Sequence, residues 1–358
     1  MSSTTQHEAS GAHTSLAALA ARHDRSHMQT VIDNFPGQIE AALTQALPPI
    51  HVPSDGYRKV VIVGMGGSAL PADVMRAAFQ DVLTVDIEVV RHYVLPATID
   101  ERCLVIVSSF SGSTEETLEA LDALPRDARN VAVVTAGGAL QAQATERGYP
   151  LVLIPVEREP PGFQPRSATG YFLTYFARIL AAAGLVADPT GALSRAAAFV
   201  RSLRLQDDAE HLARWLGSRI PVVYTDEQYM LSVARIAKIK FNENSKRPAF
   251  FNALPEANHN EMIGFVKDLG QFAVVYIHND GSHPRVLRRF EVMEKVFKED
   301  GLHHVDFYRW TMPGSNRLEN VLATLAFIEQ CSYYLALLDG FDPTPVDLVQ
   351  KFKREMVK

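Results

Sequence analysis

The feature that most constrains this chain is a series of short, β-branched and almost continuously apolar runs. They are KVVIVG at 59–64, VDIEVV at 85–90, CLVIVS at 103–108, VAVVT at 131–135 and LVLIP at 151–155. Runs of this length without polar alternation suit strands buried on both faces, the environment of a parallel sheet covered by helices. Helix-like stretches at 69–80, 114–123 and 138–146 separate most of them. The alternation predicts a doubly wound parallel sheet with right-handed crossovers.

After Arg166 the pattern turns helical, with three helices expected over 167–217 and a Gly/Asp/Pro break at 184–189. A second alternating series follows: strands at 220–225, 272–277 and 304–308, and helices at 229–241, 285–299, 315–338 and 345–357. A chain of 358 residues has room for two cores. The expected architecture is therefore α/β, two doubly wound parallel-sheet units with a helical connector. Its parts are a disordered tail at 1–15, an N-terminal helix plus the first unit at 16–186, and the second unit with connector and C-terminal helices at 187–358.

A net charge of −6 with no dense Lys/Arg block argues against a nucleic-acid surface. No apolar run is expected to reach the roughly 20 residues that span a bilayer. The N-terminus lacks the basic-then-apolar layout of a secretory signal, so the expected location is the cytoplasm. Cys103 and Cys331, the only cysteines, read as small buried apolar residues in a reducing compartment, without zinc spacing. His303 and His304 fall at the expected strand, where adjacent side chains point to opposite faces, so they make no metal site.

Two loops carry the binding signal. Gly64-Met65-Gly66-Gly67-Ser68-Ala69 satisfies a loose G-x-G-x-x-A dinucleotide fingerprint, with Glu88 at about the right distance to mimic the ribose-binding acid. The glycines alone equally admit a plain strand-to-helix turn. The third run decides between these readings. It leads into SSFSGSTEETLEAL, where Ser109, Ser111, Ser113 and Thr114 surround Gly112 at a helix start. Free N–H groups and the helix dipole hold phosphate at such a start, and hydroxyls add donors. One hydroxyl would serve as an N-cap; four exceed what capping needs. Both loops would open at the carboxyl ends of a parallel sheet, where ligands bind. A dinucleotide does not need the second loop, whereas a phosphate monoester uses both, and no Walker-type motif is present.

The segment FNENSKRPAFFNALPEANHNEMIGF, 241–265, gathers five Asn, three Glu, one His and one Lys between apolar flanks. It reads either as a long loop held by side-chain amides or as a device that orients a carboxylate and an imidazole. Glu243 and His259 are that pair, sixteen residues apart. A carboxylate that moves a proton between two carbons and an imidazole that handles a ring oxygen suit aldose–ketose isomerisation. Arg166, in PPGFQPRSATG, is the candidate cation for an enediolate oxygen.

GMGGS followed by S-x-S-G-S-T-E-E-T resembles the sugar isomerase (SIS) domain, whose Ser/Thr-rich loop holds a sugar phosphate. That resemblance implies Gly67, Ser68, Ser109, Ser111 and Thr114 as phosphate contacts. From MQTVIDNFPGQIEAAL to the C-terminus, including QPRSA, FNENSK, PEANHNE and DPTPVDLVQKFK, the chain is similar to the bifunctional phosphoglucose/phosphomannose isomerases. The likeness implies two SIS domains and a homodimer with shared active sites, the histidine coming from the neighbouring subunit. It assigns Glu243 as base, His259 to ring opening, Arg166 to the enediolate and Lys353 to a ring-oxygen or hydroxyl contact, with Lys351 competing for the last role. Glu256 and Glu261 are expected to orient His259, and Thr344 is the candidate for the small hydroxyl residue linked to acceptance of mannose. The implied substrates are sugar 6-phosphates, interconverted without metal or nucleotide cofactor. A rival reading is a non-catalytic SIS sugar-phosphate regulator. Such a protein should carry a DNA-binding module and would dispense with Glu243 and Arg166, whereas this chain has both and no helix-turn-helix with a basic face. A dehydrogenase would leave 241–265 unexplained.

Overall fold

The computed structural model describes residues 15–161, 163–229 and 232–356. Of the expected tail, only Ser15 lies within them, and its hydroxyl caps α1 (Leu16–His23) by accepting the Ala18 N–H. Helices α2 (Met28–Asp33) and α3 (Phe35–Thr44) follow. The first sheet contains β1 (Lys59–Val63), β2 (Asp86–Val90), β3 (Cys103–Ser109), β4 (Val131–Thr135) and β5 (Leu151–Leu153). Between them run α4 (Gly66–Ala78), α5 (Glu115–Asp122) and α6 (Gly138–Glu146). All pairings are parallel, in the order β2-β1-β3-β4-β5.

Helices α7 (Thr169–Ala182), α8 (Thr190–Ser202) and α9 (Gln206–Leu216) lead to the second sheet. That sheet holds β6 (Ile220–Asp226), β7 (Phe250–Leu254), β8 (Phe272–His278) and β9 (Val305–Thr311), again all parallel, in the order β7-β6-β8-β9. Helices α10 (Val233–Glu243), α11 (Ala257–Asn260), α12 (Pro284–Glu299), α13 (Arg317–Leu338) and α14 (Asp347–Met356) complete the chain. The first four strands of one sheet and the four of the other have the same order, β2-β1-β3-β4 matching β7-β6-β8-β9.

Side-chain alternation along the strands explains the layering. Val60, Ile62, Leu104 and Ile106 face a central core, while Val61, Val63, Val105 and Val107 face Leu121 of α5 and Leu140 of α6. In the second sheet Val223, Val275 and Ile277 face the same central core, and Tyr224, Val274 and Tyr276 face Phe290, Met293 and Phe297 of α12. The helical connector is thus the middle layer between two sheets. Its helices α7, α8 and α9, with α4, α10 and α13, contribute to one continuous hydrophobic cluster.

Three expectations need correction. Helix α13 has 22 residues and is long and apolar enough to cross a bilayer, contrary to the reading that no run approaches that length. It is the core helix of the middle layer, mostly buried and packed on α8, α9 and α10. Strand β7 lies inside the polar segment that reads as a loop. His303 and His304 precede β9, and the His304 ring is hydrogen-bonded to the Phe265 carbonyl at 2.8 Å. Both cysteines are buried and free, and burial pushes the Cys331 thiol up.

Candidate active site

Strands β1 and β3 are neighbours whose following helices leave toward opposite faces, α4 into the central layer and α5 onto the outer face. The chain order reverses between these strands, which opens a crevice at their carboxyl ends. Ser108 bolts the two loops together, its hydroxyl lying 3.0 Å from the Val63 carbonyl and 3.1 Å from that of Ser68. Ser68 adds a second bolt, its buried Oγ accepting the Phe110 N–H at 2.9 Å. Glu88 is not at this edge. It sits in mid-strand and pairs with Lys59 at 2.5 Å, so the dinucleotide reading lacks its ribose acid.

The loop after β3 is organised around hydroxyls. Ser109 Oγ lies 2.9 Å from Thr114 Oγ1 and accepts the Gly112 N–H at 3.1 Å. Thr114 is the N-cap residue of α5, yet its side chain makes no capping bond. The Glu115 and Glu116 N–H groups, which have no intrahelical acceptor, therefore stay available to a ligand, while the Thr117 N–H is taken by the Thr114 carbonyl. Ser111 is exposed beside them and accepts the Ser113 N–H at 3.3 Å. Gly112 has φ +64°, and a Cβ there would stand 1.7 Å from the Gly137 carbonyl oxygen, so only glycine closes this loop.

Arg166 arrives at the same crevice on a 3-10 turn, Pro165–Ser167, laid against Gly67. A Cβ at Gly67 would come within 2.9 Å of the Arg166 backbone, so the missing side chain is what admits the turn. The arginine is 2% exposed and almost fully engaged. Its Nε donates to Asn244 Oδ1 at 2.8 Å, and Nη2 donates to the carbonyls of Pro343 (3.0 Å) and Thr344 (2.8 Å). Nη1 faces Glu243 Oε2 at 3.6 Å. Burial draws the guanidinium down from its ordinary value, while Glu243 and Glu329 oppose that shift.

A buried polar network fixes this pair. Asn244 donates to Glu329 at 3.2 Å and to Ser332 Oγ at 3.0 Å, so its amide is locked from both ends. The Lys240 ammonium donates to the Arg166 carbonyl at 2.7 Å and forms an ion pair with Glu329. Lys246 Nζ lies on the carbonyls of Glu243, Asn244 and Pro343. None of Lys240, Asn244, Lys246, Glu329 or Ser332 is assigned a role by the sequence. The available signal was Glu329 and Ser332 standing as polar residues, three apart and flanking Gln330 and Cys331, in the mostly apolar later half of α13.

The remaining candidates lie apart. Helix α10 ends at Glu243 and the chain then enters β7; His259 follows β7 at its other end. No hydrogen bond or ion pair joins the Glu243 and His259 side chains among the described residues. Glu261 accepts from the Tyr224 hydroxyl at 2.7 Å and from Asn252, and Glu256 accepts from Asn260 at 2.8 Å. Neither carboxylate has a hydrogen bond to the His259 ring among the described residues. Lys351 and Lys353 are exposed on α14, a helix with no buried residue. Thr344 is beside Arg166, its backbone carbonyl on the guanidinium and its buried hydroxyl without a partner among the described residues. No group of three or more His, Cys, Asp or Glu side chains able to hold a metal occurs among the described residues.

Residues 205–356 match the family described as the bacterial phospho-glucose isomerase C-terminal SIS domain. The bifunctional phosphoglucose/phosphomannose isomerase of Caldicellulosiruptor bescii is 32% identical over 339 residues, covering 91% of this chain and 97% of that protein. The D-glucosamine-6-phosphate 4-epimerase of Sulfolobus acidocaldarius is 30% identical over 260 residues, 71% of this chain and 78% of that protein. Among solved structures, glucosamine-6-phosphate deaminase from Thermotoga maritima aligns with TM-score 0.66 at 16% identity, over 88% of this chain and 96% of that one. A glucose-6-phosphate isomerase from Chlamydia trachomatis aligns with TM-score 0.60 at 15% identity, over 96% and 75%. At such identities the structural likenesses establish the fold alone.

Proposed function

This chain belongs to the bifunctional phosphoglucose/phosphomannose isomerase family, and we propose that it interconverts glucose 6-phosphate and mannose 6-phosphate with fructose 6-phosphate. The observation that carries the proposal is the buried Arg166 held 3.6 Å from the half-exposed Glu243 and wedged against the Gly67 loop. Cation and carboxylate then meet a substrate whose phosphate is anchored by Ser68, Ser109, Ser111, Thr114 and the first turn of α5.

The chemistry follows from these positions. The Glu243 carboxylate takes the proton from C2 of the open-chain aldose, and the C2–H electron pair becomes the C1–C2 double bond of an enediolate. Arg166 Nη1 offsets the charge that develops on oxygen. A proton passes from O2 to O1, the C2 oxygen becomes the carbonyl as the double-bond electron pair takes the returning proton at C1, and the ketose results. Glucose and mannose differ at C2, which is planar in the shared enediol, so one base serves both. The family's position near the terminal lysine falls to Thr344, and its hydroxyl is assigned to acceptance of mannose. Lys353 on α14 is assigned to a sugar oxygen. His259, at the far end of β7, is assigned to ring opening in a second copy's site, which makes the working unit a homodimer. Neither proton transfer nor charge stabilisation here requires a metal ion, and the expected setting is the cytoplasm.

A coupled assay for fructose 6-phosphate from each aldose, with and without EDTA, tests this reading. Both aldoses are expected to turn over at rates EDTA leaves unchanged. Loss of activity restored by zinc would sink the metal-free mechanism. A parallel arm with glucosamine 6-phosphate separates the isomerase from an activity like that of the epimerase relative.

A further inference from the structure

Lys246 stands at φ +57°, one of two non-glycine residues with positive φ among the described residues. A lysine persists in that conformation only where its surroundings enforce it. Here the left-handed turn folds the side chain back over the end of α10. Its Nζ reaches Glu243 O at 2.7 Å, Asn244 O at 3.3 Å and Pro343 O at 2.9 Å. An ammonium has three protons, and three carbonyls take them, so nothing is left for a substrate unless an anchor is given up. The Pro343 carbonyl also accepts Arg166 Nη2 at 3.0 Å. One carbonyl thus joins two cations, and through it the end of α10 that carries Glu243 is tied to the segment that grips Arg166.

We propose that Lys246 is the positioning residue that sets the Arg166–Glu243 separation, and that its protonation state tightens or slackens that pair. The proposal rests on the isomerase reading for its consequence in turnover, but not for its structural content. The charged groups facing Nζ are Arg166 from the 3-10 turn, Glu243 from α10, Asp342 from the segment before α14, and Asp347 at the start of α14. Burial first, and Arg166 second, pull the ammonium down to about 8, with the three carboxylates opposing. The charged, fully donating form therefore prevails below that pH. As pH rises through it, one anchor proton and the charge are lost together.

The test compares the wild type with Lys246→Met and Lys246→Arg. In Lys246→Met, kcat should fall by about tenfold to a hundredfold, as expected of a misplaced catalytic pair. KM for the sugar phosphate should stay within about twofold, because the phosphate contacts are elsewhere. The wild type is expected to lose kcat as pH rises through about 8, and that fall should be absent from Lys246→Met. Lys246→Arg, which stays charged, should keep much of the rate and carry no fall there. An unchanged limb in both variants would overturn the proposal. A second readout needs no turnover: at pH 7, phenylglyoxal should label Arg166 several-fold faster in Lys246→Met than in the wild type, followed by mass spectrometry. Equal labelling overturns the positioning role even if the protein proves to have another substrate, and an inactive wild type with faster labelling in the variant overturns only the isomerase reading.

Discussion

Glu243 occupies the place on a helix least suited to a carboxylate, the last residue of α10, where the backbone dipole ends negative. A charge there costs about 0.3–1 kcal/mol at an exposed helix end. Arg166 at 3.6 Å and the Lys246 ammonium on the terminal carbonyls supply the offsetting positive charge. Glu243→Gln keeps the shape and the hydrogen-bonding ends but cannot accept a proton. It should lower turnover by about 10²–10⁴-fold, the usual cost of losing a general base. Deuterium wash-in at C2 should stop, while binding of a non-reacting sugar phosphate should hardly change. Exchange at a near-normal rate would move the base to another carboxylate. Arg166 and Glu243 stand out in the sequence because each sits in an unusual local context, QPRSA and FNENSK. Asn244 and Lys246 share the second context, but their tasks, like that of Lys240, were not legible, because the partners Glu329, Ser332 and Pro343 lie far along the chain. Such contacts leave no local pattern to read.

At the scale of elements, the strands were legible where burial on both faces forces a continuous apolar run. Strand β7 was not: edge position alone left β2, β5 and β9 legible, but β7 also carries Asn252 at its middle, and Phe250 at its start is 54% exposed. An edge strand tolerates Asn252, whose amide is used by Glu261, so its composition imitates a loop. The loop after β3 is the opposite case, a polar cluster whose position between a buried strand and a helix made it readable. Its hydroxyls separate into two jobs. Ser109 is 1% exposed and closes the loop through Gly112, while Ser111 and Thr114 lie toward the open first turn of α5. Ser111→Ala combined with Thr114→Ala should therefore weaken sugar-phosphate binding first. The expected loss is about 3–6 kcal/mol, at about 1.5–3 kcal/mol for each of two hydrogen bonds to a charged group, with a smaller effect on the rate at saturation. A titration with a non-reacting sugar phosphate beside a kcat measurement checks it. A fall in kcat at unchanged affinity would place the phosphate elsewhere.

For the whole molecule, the alternation of strands and helices in the sequence specifies two parallel sheets but not that they share one core. Strand faces carrying Ile62 and Val275 look alike locally, and only the packed helices α7, α10 and α13 reveal that both turn to the same layer. The shared layer carries the end of α10 to the crevice of the first sheet, where Glu243 meets Arg166, and leaves His259 beyond the opposite end of β7. In the homodimer proposed above the imidazole comes from a second copy, and a two-fold axis gives two such sites. Glu243→Gln and His259→Ala homodimers should each be nearly inactive. Mixed after reversible dissociation, they form hybrids in which one site joins Glu243 of the second chain to His259 of the first, while the other site has neither. Random pairing makes half the dimers hybrid with one working site of two, so activity should return to about a quarter of the wild-type level. Native mass spectrometry counts the hybrids independently of turnover. Hybrids present in that proportion without recovered activity would show that the two residues do not serve one site across the interface.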